Sequence, residues 1–197
     1  MKKFLLKVTG ITLLSILALA CIAYAALLIF TPVTLAKFYD GVGNYDKALV
    51  HAYEQYKRSE DLSDLDAACR YALKTGDKDK IGKYLEMLVD REDFYSYCLS
   101  DPELGAEYYD FICVKYVAAL YDGGNENAAA LANGLTKTYT ATCPLRSIAV
   151  SATDKNDKTT AAAVKTFLKD RLNTAVDEKE NALITADIGL IDEFLGK

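Results

Sequence analysis

Four short turns constrain the fold of this chain more than any other feature of its sequence. They are Gly43-Asn44, Gly76-Asp77, Gly124-Asn125 and Asn156-Asp157, at intervals of 33, 48 and 32 residues. A helix commonly ends with Gly or Asn in the left-handed conformation, and an Asn or Asp beside it can cap the following helix. Since the segments between the turns carry apolar residues at helical spacing, the sequence predicts an all-α fold of antiparallel helix-turn-helix pairs.

Two further segments extend this pattern. The longest interval leaves room for an insertion at 91–103, which is predicted to form a short helix followed by a loop at Asp101-Pro102. The segment 177–197 has its apolar residues on one side only, at 183, 184, 188, 191, 194 and 195. A one-sided helix with a charged outer face is suited to capping the end of a helical stack.

Small and apolar residues recur at similar distances from the first two turns. Around Gly43 the matching positions are Leu35, Ala36, Tyr39, Tyr45 and Ala48, and around Gly76 they are Ala68, Cys69, Ala72 and Ile81. This spacing of small and apolar residues resembles the tetratricopeptide repeat, with a good likeness over 32–90 and a loose one over 104–172. Because one such pair cannot bury its apolar face alone, the resemblance implies a short stacked α-solenoid over 32–176.

The resemblance also implies a binding surface. In that family, the exposed faces of the first helix of each pair line a concave wall that holds a peptide. Carried onto this chain, the corresponding positions are Lys37, Asp40, Asp66, Arg70, Lys74 and Tyr121. Their mixed charges suit an extended acidic or mixed peptide, so the expected partner is a protein or peptide.

The N-terminal segment is free of charge from Val8 to Ala36, and three lysines precede it. Its centre, 10–30, is about 30 Å long as a helix, which matches a bilayer core. The sequence therefore predicts a transmembrane signal anchor over 8–31 that contacts the lipid bilayer. The lysines favour a cytoplasmic N-terminus at 1–7, a single-pass plasma-membrane protein and an extracytoplasmic C-terminal domain.

Two other fates of this segment stay open. The stretch from Leu17 to Cys21 resembles a bacterial lipoprotein cleavage box, which would attach lipid to Cys21. The small residues Ala23 and Ala25 offer a site for simple signal-peptide cleavage. All three alternatives place the bulk of the chain outside the cytoplasm.

Charge and motif content narrow the classes of function. After Phe30 the chain carries 20 basic and 28 acidic side chains, an excess of negative charge that repels nucleic acid. His51 is the single histidine, and the common metal, nucleophile and phosphate motifs are missing from the sequence. We therefore predict no catalytic residues, no metal site and no cofactor. A rival enzyme site would need the carboxylates of Glu103, Glu107 and Asp110 to converge.

Four cysteines follow the N-terminal segment. Cys98 and Cys143 fall in connections expected at the same edge of the stack, which makes them a candidate disulfide. Cys69 and Cys113 lie at apolar positions inside helices and are expected to be buried thiols. The alternative that Cys98 and Cys143 also remain thiols stays open.

The sequence thus predicts a membrane-anchored protein-interaction module at the cell envelope, built from tetratricopeptide-like helix pairs. The alternative is an envelope enzyme or solute-binding component whose site lies near 91–110. A third hypothesis is a helical plug that binds another membrane protein through the N-terminal segment.

Overall fold

The computed structural model describes residues 2–174 and 177–196, with side chains for all of these except 2–9 and 27–30. The described residues form eleven α-helices and no β-strand, which confirms the predicted all-α class. The helices divide into two compact units, residues 1–75 and residues 76–197. Each unit is described by itself below.

Unit 1 is organised around its third helix. That helix packs against both the second and the fourth, and the first helix contacts the second. Its small core cluster consists of Leu35, Tyr39 and Ala48, with the half-buried Tyr71 packed against it. The four helices are α1 (Lys2–Phe30), α2 (Pro32–Gly41), α3 (Tyr45–Ser59) and α4 (Leu62–Thr75).

The turn between α2 and α3 has the predicted chemistry. Gly43 adopts a φ of 74°, a left-handed conformation that side chains disfavour, and Asn44 N–H donates to the Tyr39 carbonyl at 2.8 Å. The Asn44 side chain then accepts from the backbone N–H of Lys47 at 3.2 Å, which caps α3. Glycine and asparagine therefore reverse the chain between two packed helices.

The membrane prediction is wrong. Among the residues that the structure describes, no helix is both long enough and apolar enough to cross a bilayer. The transmembrane anchor over 8–31 and the single-pass plasma-membrane location with a cytoplasmic 1–7 are corrected accordingly.

The described part of α1 keeps its side chains largely exposed. Residues 11–26 are all solvent-accessible, including the leucines and isoleucines, and Cys21 is an exposed free thiol. A hydrogen bond of 2.7 Å joins the hydroxyls of Tyr24 and Tyr39, and it ties α1 to α2.

Unit 2 is a bundle centred on two long helices. The seventh helix packs against the fifth, sixth, eighth and ninth, and the tenth packs against the eighth, ninth and eleventh. Large side chains such as Phe94, Ile112, Leu145 and Leu168 are fully buried between them. The helices are α5 (Lys78–Val89), α6 (Phe94–Ser100), α7 (Gly105–Asp122), α8 (Ala128–Leu135), α9 (Pro144–Asp154), α10 (Lys158–Leu172) and α11 (Glu178–Leu195).

The remaining turn signals also separate helices. Gly76, Gly124 and Asn156 all have positive φ, and Asp77 and Asp157 cap α5 and α10 through their side chains. The insertion at 91–103 contains the expected short helix, α6, which is followed by turn residues from 101. The C-terminal helix α11 packs against α9 and α10 through buried residues that include Ile184 and Ile191.

Candidate functional site

The first helices of the two predicted pairs approach each other in unit 1. Both α2 and α4 pack against α3, and Lys74 Nζ donates to Asp40 Oδ1 at 2.6 Å. Asp40 lies in the last turn of α2 and Lys74 in the last turn of α4. The C-terminal ends of α2 and α4 therefore meet, and both helices pack against α3.

Lys74 is held in a defined position by its neighbours. Its ammonium lies 5.5 Å from the ring centroid of Tyr45 and 5.3 Å from that of Tyr71, within the range of cation–π attraction. The hydrogen bond to Asp40 raises the pKa of Lys74 above its ordinary value, so the side chain stays charged. The result is an oriented cation at the seam between α2 and α4.

Arg70 lies one turn before Lys74 on the same face of α4. Its Nε donates to Asp66 Oδ2 at 3.0 Å. The Arg70 side chain is 50% exposed whereas that of Asp66 is 5% exposed. In the Lys74–Asp40 pair the cation is again the more exposed partner, at 46% against 31%. In both pairs the carboxylate is therefore the less exposed partner.

Lys37 extends this arrangement onto α2. It is exposed and lies three residues before Asp40 on the same helix. We call Lys37, Arg70 and Lys74 the cationic face. It combines three outward cations in a chain whose formal net charge is −5.

The structure separates the sequence-predicted binding residues. Lys37, Asp40, Arg70 and Lys74 lie on the surface of unit 1, and Asp66 is buried beneath Arg70. Tyr121 belongs to unit 2, where its hydroxyl donates to Asp157 Oδ2 at 3.0 Å. Five of the six positions therefore belong to one compact unit.

Sequence reasoning missed the two tyrosines beneath Lys74. Tyr45 and Tyr71 are both expected to follow the helical packing rows, but their contact with the Lys74 ammonium is not predicted by the sequence. The spacing of Tyr71 and Lys74 by three residues is a helical contact distance, so this part of the signal was present in the sequence.

The carboxylates of the rival enzyme site have different environments. Glu103 and Glu107 are exposed, whereas Asp110 is buried and accepts from Thr140 Oγ1 at 3.1 Å. Burial raises the pKa of the Asp110 carboxyl, and the hydrogen bond from Thr140 opposes that shift. Within the described part of the chain, no cluster of three or more His, Cys, Asp or Glu side chains could hold a metal ion.

The cysteines of the two units are buried. Cys69, Cys98, Cys113 and Cys143 are all inaccessible to solvent. Burial raises the pKa of the Cys69 thiol, and it raises that of Cys113 to about 12, which suppresses the reactive thiolate. The disulfide between Cys98 and Cys143 stays a prediction.

Comparison with known proteins does not assign this chain to a family. No protein-family profile, curated protein or solved structure matches this chain. The likeness to the tetratricopeptide repeat therefore stays a prediction that depends on the residues around Gly43 and Gly76.

Proposed function

We propose that this protein is a non-enzymatic protein-interaction module that binds an extended segment of a partner protein across the cationic face. The observation that supports the proposal is the Lys74–Asp40 contact, which joins the C-terminal ends of α2 and α4 and leaves the Lys74 side chain 46% exposed. The tetratricopeptide-like arrangement of helix pairs is part of the same proposal.

The charges of this surface favour an acidic segment as its ligand. The cations are the exposed members of their ion pairs, so an incoming carboxylate meets Arg70 and Lys74 before it meets Asp66 or Asp40. The excess of acidic residues elsewhere in the chain disfavours other docking positions for the same ligand. Charge complementarity of this kind supplies specificity and speeds association.

The fixed positions of the cations lower the entropic cost of binding. A long flexible side chain that is immobilised on binding costs about 0.5–1.5 kcal/mol. Lys74 already lies against Tyr45 and Tyr71, and Arg70 is already oriented by Asp66. The face therefore needs little reorganisation to accept a ligand.

Photo-crosslinking tests the location of this surface. A photoreactive amino acid replaces Lys37 on the cationic face or Val50, which is exposed on α3, and the full chain is irradiated in its native cells. We expect one partner segment to be crosslinked at position 37 and not at position 50. Equal crosslinking at both positions, or none at position 37, would contradict the proposal.

Charge reversal tests the chemistry of the same surface. The double substitution Arg70→Glu and Lys74→Glu should weaken binding of the crosslinked segment by at least about a hundredfold, because it removes two charge-assisted hydrogen bonds worth about 1.5–3 kcal/mol each. The matched control is the double substitution Lys57→Glu and Arg58→Glu, which makes the same change of net charge at two exposed positions of α3 and should leave affinity unchanged. Calorimetric titration measures both. Equal losses in the two variants would show that net charge, and not this face, governs binding.

A further inference from the structure

Two turns of unit 2 enclose a cavity of about 720 Å³. One turn, 124–127, follows α7, and the other, 155–157, connects α9 to α10. Tyr121, which the sequence placed on a peptide-binding surface, lines this cavity together with Thr159 and Thr160 at the start of α10. Small-molecule pockets usually have volumes of about 300–1,000 Å³, so the cavity has the size of a ligand site.

Contacts between side chains hold the two turns together. The Tyr121 hydroxyl donates to Asp157 Oδ2 at 3.0 Å, and the Lys155 ammonium pairs with Asp122 at the end of α7. Lys155 Nζ also lies 4.4 Å from the centroid of the Tyr121 ring, within the range of cation–π attraction. Because these contacts are made within the chain itself, the cavity is preformed.

The charges on the cavity wall already have partners in the chain. Besides the Tyr121 hydroxyl, Asp157 accepts from the backbone N–H of Thr160 at 3.0 Å, which caps α10. Lys155 is paired with Asp122, and Glu126 is exposed to solvent. An anion would have to displace a carboxylate from these contacts, and a cation would have to displace Lys155. The cavity therefore favours an uncharged ligand.

The neutral side chains of the wall are amides and hydroxyls. Asn125 and Asn127 contribute amides, and Thr159 contributes a hydroxyl. Amides and hydroxyls both donate and accept hydrogen bonds, and each hydroxyl of a ligand does the same. Since these groups come from two separate turns and converge on one cavity, they match a molecule with several hydroxyl groups, such as a sugar.

A second cavity of about 490 Å³ adjoins the first. The two cavities share Asn125 and Asn127 as lining residues. The rest of the second lining comes from one face of α8 and consists of Ala130, Leu131, Gly134 and Leu135. Leu131 is 37% exposed, so this face presents apolar surface to solvent. A ligand that fills both cavities would extend from a polar lining onto an apolar one.

We propose that the two cavities together bind a glycoside, with its sugar between the turns 124–127 and 155–157 and its apolar substituent against α8. Asn125 and Asn127 would contact the junction between sugar and substituent, because they line both cavities. The site goes beyond the docking function proposed for unit 1. It is a solute-binding site that lies outside 91–110, where the sequence placed that alternative.

Titration with matched probes tests the class of ligand. Hexyl glucoside, hexanol, hexyl sulfate and hexylammonium share an apolar chain and differ in the head group. In nuclear magnetic resonance of the isotope-labelled full chain, hexyl glucoside should bind most tightly and shift the amides of 124–127, 155–160 and 130–135. Of these three ranges, hexanol should shift only 130–135. Equal or tighter binding of hexanol or of either ion, or equal shifts of all three ranges by hexanol, would overturn the proposal.

Two threonine variants separate the sugar contact from general stability. Thr159→Ala removes a hydroxyl from the cavity wall and should weaken hexyl glucoside about fivefold, the usual worth of one hydrogen bond, without affecting hexanol. The matched control is Thr166→Ala, at an exposed position of the same helix, which should leave both affinities unchanged. Equal losses in the two variants, or equal losses for both probes in Thr159→Ala, would contradict the assignment.

A blocking substitution tests whether the two cavities act together. Asn127 lines both cavities, and its side chain makes no capping hydrogen bond to α8. Asn127→Trp should therefore fill the junction and abolish binding of hexyl glucoside, while circular dichroism shows that the helices are kept. Leu190→Trp, at an exposed position of α11, should preserve binding. Retained binding in Asn127→Trp, or equal loss in Leu190→Trp, would count against the site.

Discussion

Lys74 illustrates what a sequence reveals about a single residue and what it does not. The likeness to the tetratricopeptide repeat implied an exposed position for Lys74 and Arg70, and both side chains are exposed on α4. The burial of Asp66 depends on how α4 packs within unit 1. That packing cannot be inferred from the residues near Asp66 in the sequence. The contact with Asp40 joins residues 34 positions apart and was likewise beyond prediction.

Asp110 offers a residue-scale prediction about pH. Burial raises the pKa of its carboxyl above the unfolded value of about 3.9. The folded chain therefore binds this proton more tightly, so the contribution to stability is complete below the unfolded pKa and is lost as pH rises through the folded pKa. Asp110→Asn, which stays neutral, should accordingly be more stable than the original chain at neutral pH.

Chemical denaturation at a series of pH values checks this expectation. The advantage of Asp110→Asn should shrink as the solution is acidified and vanish below the unfolded pKa. Glu107→Gln, at an exposed position of the same helix, serves as the control and should show no such advantage. An Asp110→Asn chain that is less stable at neutral pH would contradict the assigned cause of the shift.

At the scale of elements, the turns were predictable because their chemistry is local. Gly43, Gly124 and Asn156 mark helix ends by their own backbone preferences, and Asn44 and Asp157 cap with their own side chains. The N-terminal segment shows the opposite case. Its apolar composition correctly indicated a helix, α1, but composition did not establish the membrane location.

Two glycines allow a matched test of turn and helix. Gly43→Ala forces a side chain into the left-handed region at φ 74° and should lower the free energy of unfolding by about 1–2 kcal/mol. Gly82→Ala lies inside α5 with no atom within 4 Å of the added Cβ, so it should raise that free energy by up to about 1 kcal/mol. Urea denaturation measures both. Changes of the same sign would show that conformational preference is not the cause.

At the scale of the whole molecule, the sequence predicted one continuous stack over 32–176, whereas the structure shows two compact units that divide at Thr75 and Gly76. Regularly spaced turn residues indicate where helices end. They do not indicate how strongly successive helix pairs pack against each other, because this packing depends on contacts between residues far apart in the sequence. The family-based boundaries stay a prediction.

Unit 2 should fold without unit 1. It has its own buried side chains, including Phe94 and Leu145, and a domain with its own core can fold alone. The fragment 76–197 should therefore keep its helical circular dichroism and melt in one cooperative transition. A fragment that lacks helical signal or melts gradually would show that its core depends on residues 1–75.

Because the side chains of Arg70 and Lys74 are exposed, the proposed partner binding should depend on ionic strength. Screening shortens the reach of a charge from about 10 Å at 0.1 M salt to about 3 Å at 1 M. The proposed acidic partner would therefore be attracted from a longer distance at low salt concentration and would dissociate at high salt concentration. The buried side chains of each unit are shielded from the same ions, so occupancy would change while the fold stays intact.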